Sequence, residues 1–186
     1  NYAHTLLELQ KSSNKPVIAG RIGAFGLVLL AFGLYGFESG TSRFESFYED
    51  LYKETGDPYN MYVRYYMPEL LSNVAIERKN PTKIIQLLST ETGHNIGCTC
   101  PYCDSQNAAA LVNDGLTRKH FLYRRNQEIE KIRGFDSISA KVEYMEDRIE
   151  NAITYYKRLK PIFKEDDYRF LKTWLDVLQK LRTDWM

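Results

Sequence analysis

All three cysteines of this chain fall within six positions, as Cys98, Cys100 and Cys103. Cysteines this close rarely bridge one another without strain, and a disulfide framework spreads its cysteines along the chain. The spacing therefore indicates reduced thiols and an intracellular, cytoplasmic protein. Three soft sulfur ligands in one short loop favour zinc, which structural sites hold with four tetrahedral nitrogen or sulfur ligands. The alternative is three buried or reactive thiols without a metal.

A fourth ligand would come from one of three histidines. His4 is remote from the cysteines in the sequence. His94 lies four residues before Cys98, and His120 lies seventeen residues after Cys103, near the start of a predicted helix. Four protein ligands close the coordination sphere, so the predicted Zn²⁺ has a structural and not a catalytic role.

Length and charge exclude several classes of protein. The chain has 186 residues, of which 25 are basic and 24 acidic, giving a net charge of +1. A complete (β/α)₈ barrel needs roughly 250 residues, so this chain is too short to form one. A chain this close to neutral is no polycation, so contact with nucleic acid would have to come from local patches. The sequence opens on Asn1 without a secretion signal, which indicates a processed N-terminus or a piece of something larger.

The most apolar stretch runs over residues 22–37, sixteen residues without a charge. A membrane span needs about 20 residues, so a membrane anchor is the weaker interpretation of this stretch. The stronger one is a buried βαβ unit, with a strand at 16–20, a helix from Gly23 that is closed by Gly36, and a strand end at 37–40. Such a unit requires a parallel sheet.

The remaining elements are predicted from apolar spacing and from the positions of glycine and proline. We expect helices at residues 42–54, 82–89, 117–133 and 166–182, a tyrosine-rich strand at 59–67 and a loop at 91–104. Asn80 is expected to cap the second of these helices, with Pro81 in its first position.

A heptad seam gives the clearest helical pattern in the chain. Its apolar positions are Ile138, Val142, Met145, Ile149, Ala152, Tyr156 and Leu159. Alternating spacings of four and three residues are typical of a helix that packs along one narrow stripe. The seam either packs on its own domain, which is the commoner arrangement, or forms a homodimer.

The segment Cys98-Thr-Cys-Pro-Tyr-Cys103, followed by a histidine at the head of a basic helix, resembles the C-terminal zinc module of the tRNA-guanine transglycosylase superfamily. It is most similar to the archaeosine-type members, which carry a proline at that place. Residues 116–123, Leu-Thr-Arg-Lys-His-Phe-Leu-Tyr, resemble the family's histidine-bearing stretch, with a shorter spacing and Phe121 in place of an asparagine. The resemblance implies that Cys98, Cys100, Cys103 and His120 bind zinc.

The resemblance extends upstream to residues 17–23 and 36–39, which are similar to a late segment of the family's barrel. There a glycine-rich strand end contacts the base, and the next strand ends in the nucleophilic aspartate. The resemblance implies that Glu38 is the nucleophile and that the turn from Gly20 to Gly23 belongs to the base pocket. Arg21, at the predicted strand end, is placed either to meet a base or a phosphate or to form a surface ion pair. Glu38 is one methylene longer than aspartate, which is also compatible with a non-catalytic relative.

The fold class implied is α/β. Residues 1–90 would form the C-terminal part of a (β/α)₈-type barrel, 91–135 a zinc-binding module and 136–186 a helical segment. The implied activity is replacement of a guanine in tRNA or DNA by a 7-deazapurine base. A homodimer or a partner subunit would supply the rest of the barrel, and no membrane is involved. The alternative is a zinc-stabilised, non-catalytic subunit that binds nucleic acid or dimerises.

Basic residues cluster on the helix that carries His120. They are Arg118, Lys119, Arg124 and Arg125, with Tyr123 between them for stacking. This composition suits contact with nucleic-acid phosphates, although a solvated helix face has the same pattern.

Overall fold

The computed structural model of the chain describes residues 2–39, 62–77, 79–103 and 111–185, with the backbone alone at Tyr62 and Asp114. The described part is mixed α/β and mostly helical. Its helices are α1 (Tyr2–Ser12), α2 (Gly26–Ala31), α3 (Thr82–Ser89), α4 (Glu91–Asn95), α5 (Asp114–Arg133), α6 (Ile138–Arg158) and α7 (Arg169–Trp185). Its strands are β1 (Ile18–Ala19), β2 (Gly36–Phe37), β3 (Tyr62–Met67) and β4 (Ser72–Glu77). Short 3₁₀ turns occupy Gly23–Phe25, Pro68–Leu70 and Glu165–Tyr168.

The strands form two separate pairs. β1 pairs with β2 in parallel, and β3 pairs with β4 in an antiparallel hairpin. Within the four described ranges the strand pairing shown consists of these two pairs. The helix predicted at residues 42–54 lies outside the described residues.

The predicted βαβ unit is confirmed. β1 and β2 are joined through α2, and the Glu38 amide donates to the carbonyl oxygen of Ala19 at 2.7 Å. All six residues of α2 are buried, which accounts for the uncharged sequence. The helix is shorter than predicted, because it ends at Ala31 and the chain turns at Gly33, whose φ of +95° favours glycine. Gly36 is therefore part of β2 and not the helix stop.

The apolar stretch at residues 22–37 thus contains one helix of six residues, α2. Among the helices of the described ranges, none combines the length and the apolar character that crossing a membrane requires.

The hairpin and the two helices after it arise from local signals. Leu71, with φ of +51°, makes the turn between β3 and β4. α3 begins at Thr82 as predicted, but Pro81 occupies the cap position instead of the first helical one. The loop predicted from residue 91 begins with a helical turn, α4, because the Thr90 hydroxyl oxygen accepts a hydrogen bond from the Gly93 amide at 2.9 Å.

The three long helices follow the sequence periodicity. α5 begins a few residues before the predicted start and ends before Gly134, while α7 lies three residues later than predicted. Of the seven seam positions, six on α6 and Leu159 directly after it, six are at most 2% exposed, and Ile138 is the exposed one. Residues of the same chain therefore cover the seam.

The described residues group into two compact units. The first contains residues 2–39, 126–150 and 169–185, and it includes the βαβ unit. The second contains residues 62–77, 79–103, 111–125 and 151–168, and it includes the hairpin and the cysteine loop.

Candidate metal centre

The cysteine loop, the hairpin and the start of α5 meet in the second unit. Asn113 fixes where α5 begins, because its side-chain oxygen accepts from the amides of Gly115 at 2.9 Å and Leu116 at 3.2 Å. His120 follows in the second turn of the helix and is completely buried. Its ring faces the cysteine loop and the strand β3.

The four predicted ligands lie together. The sulfur atoms of Cys98, Cys100 and Cys103 and a ring nitrogen of His120 are all within 4.8 Å of one another. The Cys100 and Cys103 sulfurs are 3.4 Å apart, and each is 3.3 Å from His120 Nδ1. Tetrahedral zinc with bonds of about 2.3 Å to sulfur places its ligand atoms about 3.5 to 3.8 Å apart. The donor set and its spacing therefore fit a metal ion such as zinc after small shifts of the ligand atoms.

The hydrogen bond made by Nε2 of His120 leaves Nδ1 available to bind a metal ion. Nε2 lies 2.6 Å from the carbonyl oxygen of Tyr66, an acceptor only, so Nε2 carries the proton and donates. The lone pair of Nδ1 then points at the sulfur atoms. Fixing one imidazole nitrogen by a backbone carbonyl is the usual arrangement around a metal-bound histidine.

Burial and hydrogen bonding tune the thiols. A hydrogen bond with Cys103 lowers the pKa of Cys98 to about 3, although burial opposes this. The same hydrogen bond, together with burial, raises the pKa of Cys103. The cluster thus stabilises one thiolate and disfavours a second one. The Cys100 amide, 3.4 Å from the Cys98 sulfur, donates to that thiolate.

Burial lowers the pKa of His120, but hydrogen bonds with the sulfurs of Cys98 and Cys100 outweigh it, and the net direction is upward. Without a metal ion, a proton on the imidazole would balance the charge of the thiolate. A metal ion that enters the cluster displaces this proton and those of the thiols, so binding weakens as the pH falls.

No family model, curated protein or solved structure matches this chain. The four protein ligands of the metal centre leave no open position for a water or substrate, which is typical of a structural zinc site. His94, the other candidate ligand, is exposed on α4 and does not belong to the cluster.

The predicted catalytic and base-binding residues lie together at the carboxyl end of the parallel strand pair, in the first unit. Glu38 follows β2 directly and is exposed, and Gly20 follows β1. A methyl group on Gly20 would lie 3.3 Å from Glu38 Oε2. Arg21 and Gly23 have φ values of +53° and +57°, so the turn after β1 is tight. A left-handed arginine is uncommon and often marks a functional turn.

The four basic residues of α5 do not share one surface. Arg118 and Lys119 are exposed, and Arg124 forms an ion pair with Glu69 at 3.3 Å. Arg125 is only 4% exposed, and its guanidinium lies over the rings of Tyr66 at 4.6 Å and Phe121 at 5.2 Å. The face of α5 that carries Phe121 and Arg125 turns inward. Arg125, which the sequence predicts to contact a phosphate, is therefore buried in the interior.

Two neighbouring tyrosines of β3 contribute to the site, and their role is not evident from the sequence. The Tyr65 ring stacks on His120 with centroids 4.6 Å apart and planes 15° apart, and its hydroxyl lies 3.6 Å from the Cys103 sulfur. Burial and the nearby Cys103 raise the pKa of Tyr65, so its hydroxyl stays protonated. The tyrosine-rich composition of the strand was the available signal, but it does not distinguish base stacking from packing.

Proposed function

We propose that this chain supplies the C-terminal part of a (β/α)₈-type barrel, with its zinc module, in a base-exchange transglycosylase. Its substrate would be a guanine in tRNA or DNA, and the incoming base a 7-deazapurine. The observation that carries the proposal is the position of the Glu38 carboxylate. It projects at the carboxyl end of a parallel strand pair, where α/β folds bind substrates, and its Oε2 lies close against the glycine that follows the neighbouring strand.

The zinc module supports this activity indirectly. Cys98, Cys100, Cys103 and His120 would hold the ion, which would supply a structural cross-link between the cysteine loop and α5. Since all four positions are protein atoms, the reaction is assigned to residues elsewhere in the chain.

In the proposed reaction, a Glu38 carboxylate oxygen attacks C1′ of the target nucleotide, and the bond from C1′ to N9 of guanine breaks. The guanine leaves with the bonding electrons and takes up a proton, and an ester joins Glu38 to the sugar. The incoming deazapurine then attacks C1′, gives up a proton, and releases the carboxylate. The chemistry resembles that of retaining glycosidases, in which a carboxylate traps an oxocarbenium-like centre.

The test uses the intact protein with tRNA and with DNA. Exchange of labelled guanine into the nucleic acid is measured together with a covalent adduct that survives denaturing electrophoresis. Both signals should be lost in Glu38→Gln and retained in Glu8→Gln, which neutralises another exposed carboxylate of the first unit. Exchange that survives Glu38→Gln would remove Glu38 from the mechanism.

A second candidate function is a non-catalytic, zinc-stabilised subunit that binds nucleic acid. Arg118 and Lys119 favour it, because both are exposed on the helix that carries a zinc ligand. The extra methylene of Glu38 also favours it, since a displacement of about 1 Å can reduce a rate on the order of 100-fold. Binding of tRNA or DNA without exchange or adduct would select this function over the enzyme.

A further inference from the structure

We infer that Tyr65 is a positioning residue for the zinc ion, acting on two of its ligands through one side chain. This inference rests on the zinc module of the proposed function. The ring of Tyr65 lies flat against the His120 imidazole, 4.6 Å between centroids, and its hydroxyl reaches the Cys103 sulfur at 3.6 Å. The side chain is completely buried, so it has no surface on which a nucleic-acid base could stack.

The hydroxyl must be the donor when zinc is bound. A metal-bound cysteine is a thiolate and has no proton to give. The Tyr65 hydroxyl therefore donates to the Cys103 thiolate and draws off part of its charge. Hydrogen bonds from surrounding groups orient metal ligands and tune their basicity in this way.

Cys103 is the ligand at which such support matters most. Cys98 and Cys100 are 6% and 9% exposed and His120 is not exposed, whereas Cys103 is only partly buried. Water or a chelator therefore reaches the cluster from the side of Cys103. The hydroxyl holds that thiolate in place.

The backbone of β3 completes the arrangement. The residue after Tyr65 provides the carbonyl oxygen that accepts from His120 Nε2 at 2.6 Å. Stacking fixes the plane of the imidazole, and the carbonyl fixes its rotation in that plane. Two consecutive residues of one strand thus orient a ligand that lies 54 positions later in the chain.

The test compares Tyr65→Phe with Tyr156→Phe, which removes the hydroxyl of another buried tyrosine in the second unit. Zinc affinity is measured by competition with a chromogenic chelator, and the Co²⁺-substituted proteins are compared by their sulfur-to-cobalt charge-transfer band. Tyr65→Phe should weaken zinc binding at least about 10-fold and shift the band, because second-shell changes typically cost 10–100-fold in affinity. Tyr156→Phe should leave both unchanged.

A purely structural role of Tyr65 is separated by repeating the comparison in a Cys103→Ala background. If the hydroxyl acts through Cys103, Tyr65→Phe has no further effect on affinity there, whereas a general packing defect persists. Unchanged affinity and spectrum in Tyr65→Phe, with wild type binding one zinc, would overturn the inference alone. Wild type that binds no metal would instead overturn the zinc module itself, before Tyr65 is tested.

Discussion

The carboxylate of Glu38 lies against the open side of Gly20, so that a Cβ at position 20 would be 3.3 Å from Oε2. Gly20→Ala should therefore displace the carboxylate by a few tenths of an ångström with little change in stability, because Glu38 is exposed and can move. We expect base exchange to fall about 10-fold, since near-attack geometry is sensitive to such shifts. Exchange kinetics and urea unfolding measure the two effects.

Gly36→Ala provides the matched control for Gly20→Ala. A Cβ at position 36 would make an ordinary contact with Ile18 at 3.8 Å, on the neighbouring strand of the same pair. Exchange reduced equally by both substitutions would contradict a specific effect at Gly20.

Gly26 is predicted to be intolerant of any side chain. A Cβ there would come within 2.2 Å of the Phe37 ring, because α2 packs directly on β2. Gly26→Ala should lower the free energy of unfolding by about 1–3 kcal/mol, the usual range for overpacking. The midpoint of urea unfolding reports the loss. In a Phe37→Ala background the same substitution should cost much less, and an equal cost in both backgrounds would count against the contact.

Metal content should depend on His120 and not on His94. His120→Ala removes a buried ligand, whereas His94→Ala changes an exposed residue of α4. Atomic emission on purified protein should give one zinc per chain for wild type and His94→Ala, and a clear deficit for His120→Ala. Loss of zinc in His94→Ala alone would show that a different ligand set operates.

Alkaline pH should destabilise the second unit through Tyr156. Burial raises the pKa of Tyr156 to about 12, opposed by a hydrogen bond from Ser72 and assisted by the Asp167 carboxylate. In the unfolded chain this tyrosine ionises near pH 10. Its contribution to the stability of the folded state is therefore intact below pH 10 and is lost as the pH rises through about 12. The loss amounts to about 2–3 kcal/mol, because each pKa unit corresponds to about 1.4 kcal/mol.

Urea unfolding of wild type and Tyr156→Phe at several pH values between 9 and 12 tests this (a range set by the pKa of Tyr156). The stability difference between the two proteins should shift in favour of Tyr156→Phe as the pH rises. Parallel curves would show that Tyr156 does not titrate differently on folding.

Nucleic-acid binding should separate the exposed cations of α5 from the buried one. Lys119→Gln should weaken binding of tRNA or DNA and reduce the salt slope by about 1, as expected for a lost phosphate contact. Arg125→Met should leave that slope unchanged but destabilise the fold by about 1–2 kcal/mol, since a desolvated cation–π contact is lost. A salt slope that changes with Arg125→Met and not with Lys119→Gln would reverse the assignment.

Local patterns in the sequence predicted the elements that local physics determines. The uncharged run before Phe37 indicated a buried βαβ unit, and the heptad spacing indicated which face of α6 is covered. The cysteine spacing indicated three ligands because all of them lie in one loop. The short helix α4 was missed because its signal is a single hydroxyl cap at Thr90.

Contacts between distant positions could not be predicted in the same way. His94 and His120 are both near the cysteines in sequence. The family resemblance implied His120, which lies in the cluster, and the physical reason is the orientation of α5 toward β3. Strand β4 was missed, and with it the hairpin that presents Tyr65 and Tyr66 to the imidazole. The burial of Arg125 follows from the same orientation, since its guanidinium covers the Tyr66 ring.

The 54 positions between Tyr66 and His120 also set an order of events during synthesis. At about 5–20 residues per second, the ribosome makes strand β3 roughly 3–10 seconds before His120, whose imidazole donates a hydrogen bond to the Tyr66 carbonyl oxygen. The three cysteines emerge in between, so a nascent chain presents three thiols before their nitrogen partner exists. His120 is therefore the last of the four ligands to reach the site, and the second unit can finish folding only after its last segment, residues 151–168, has also been translated.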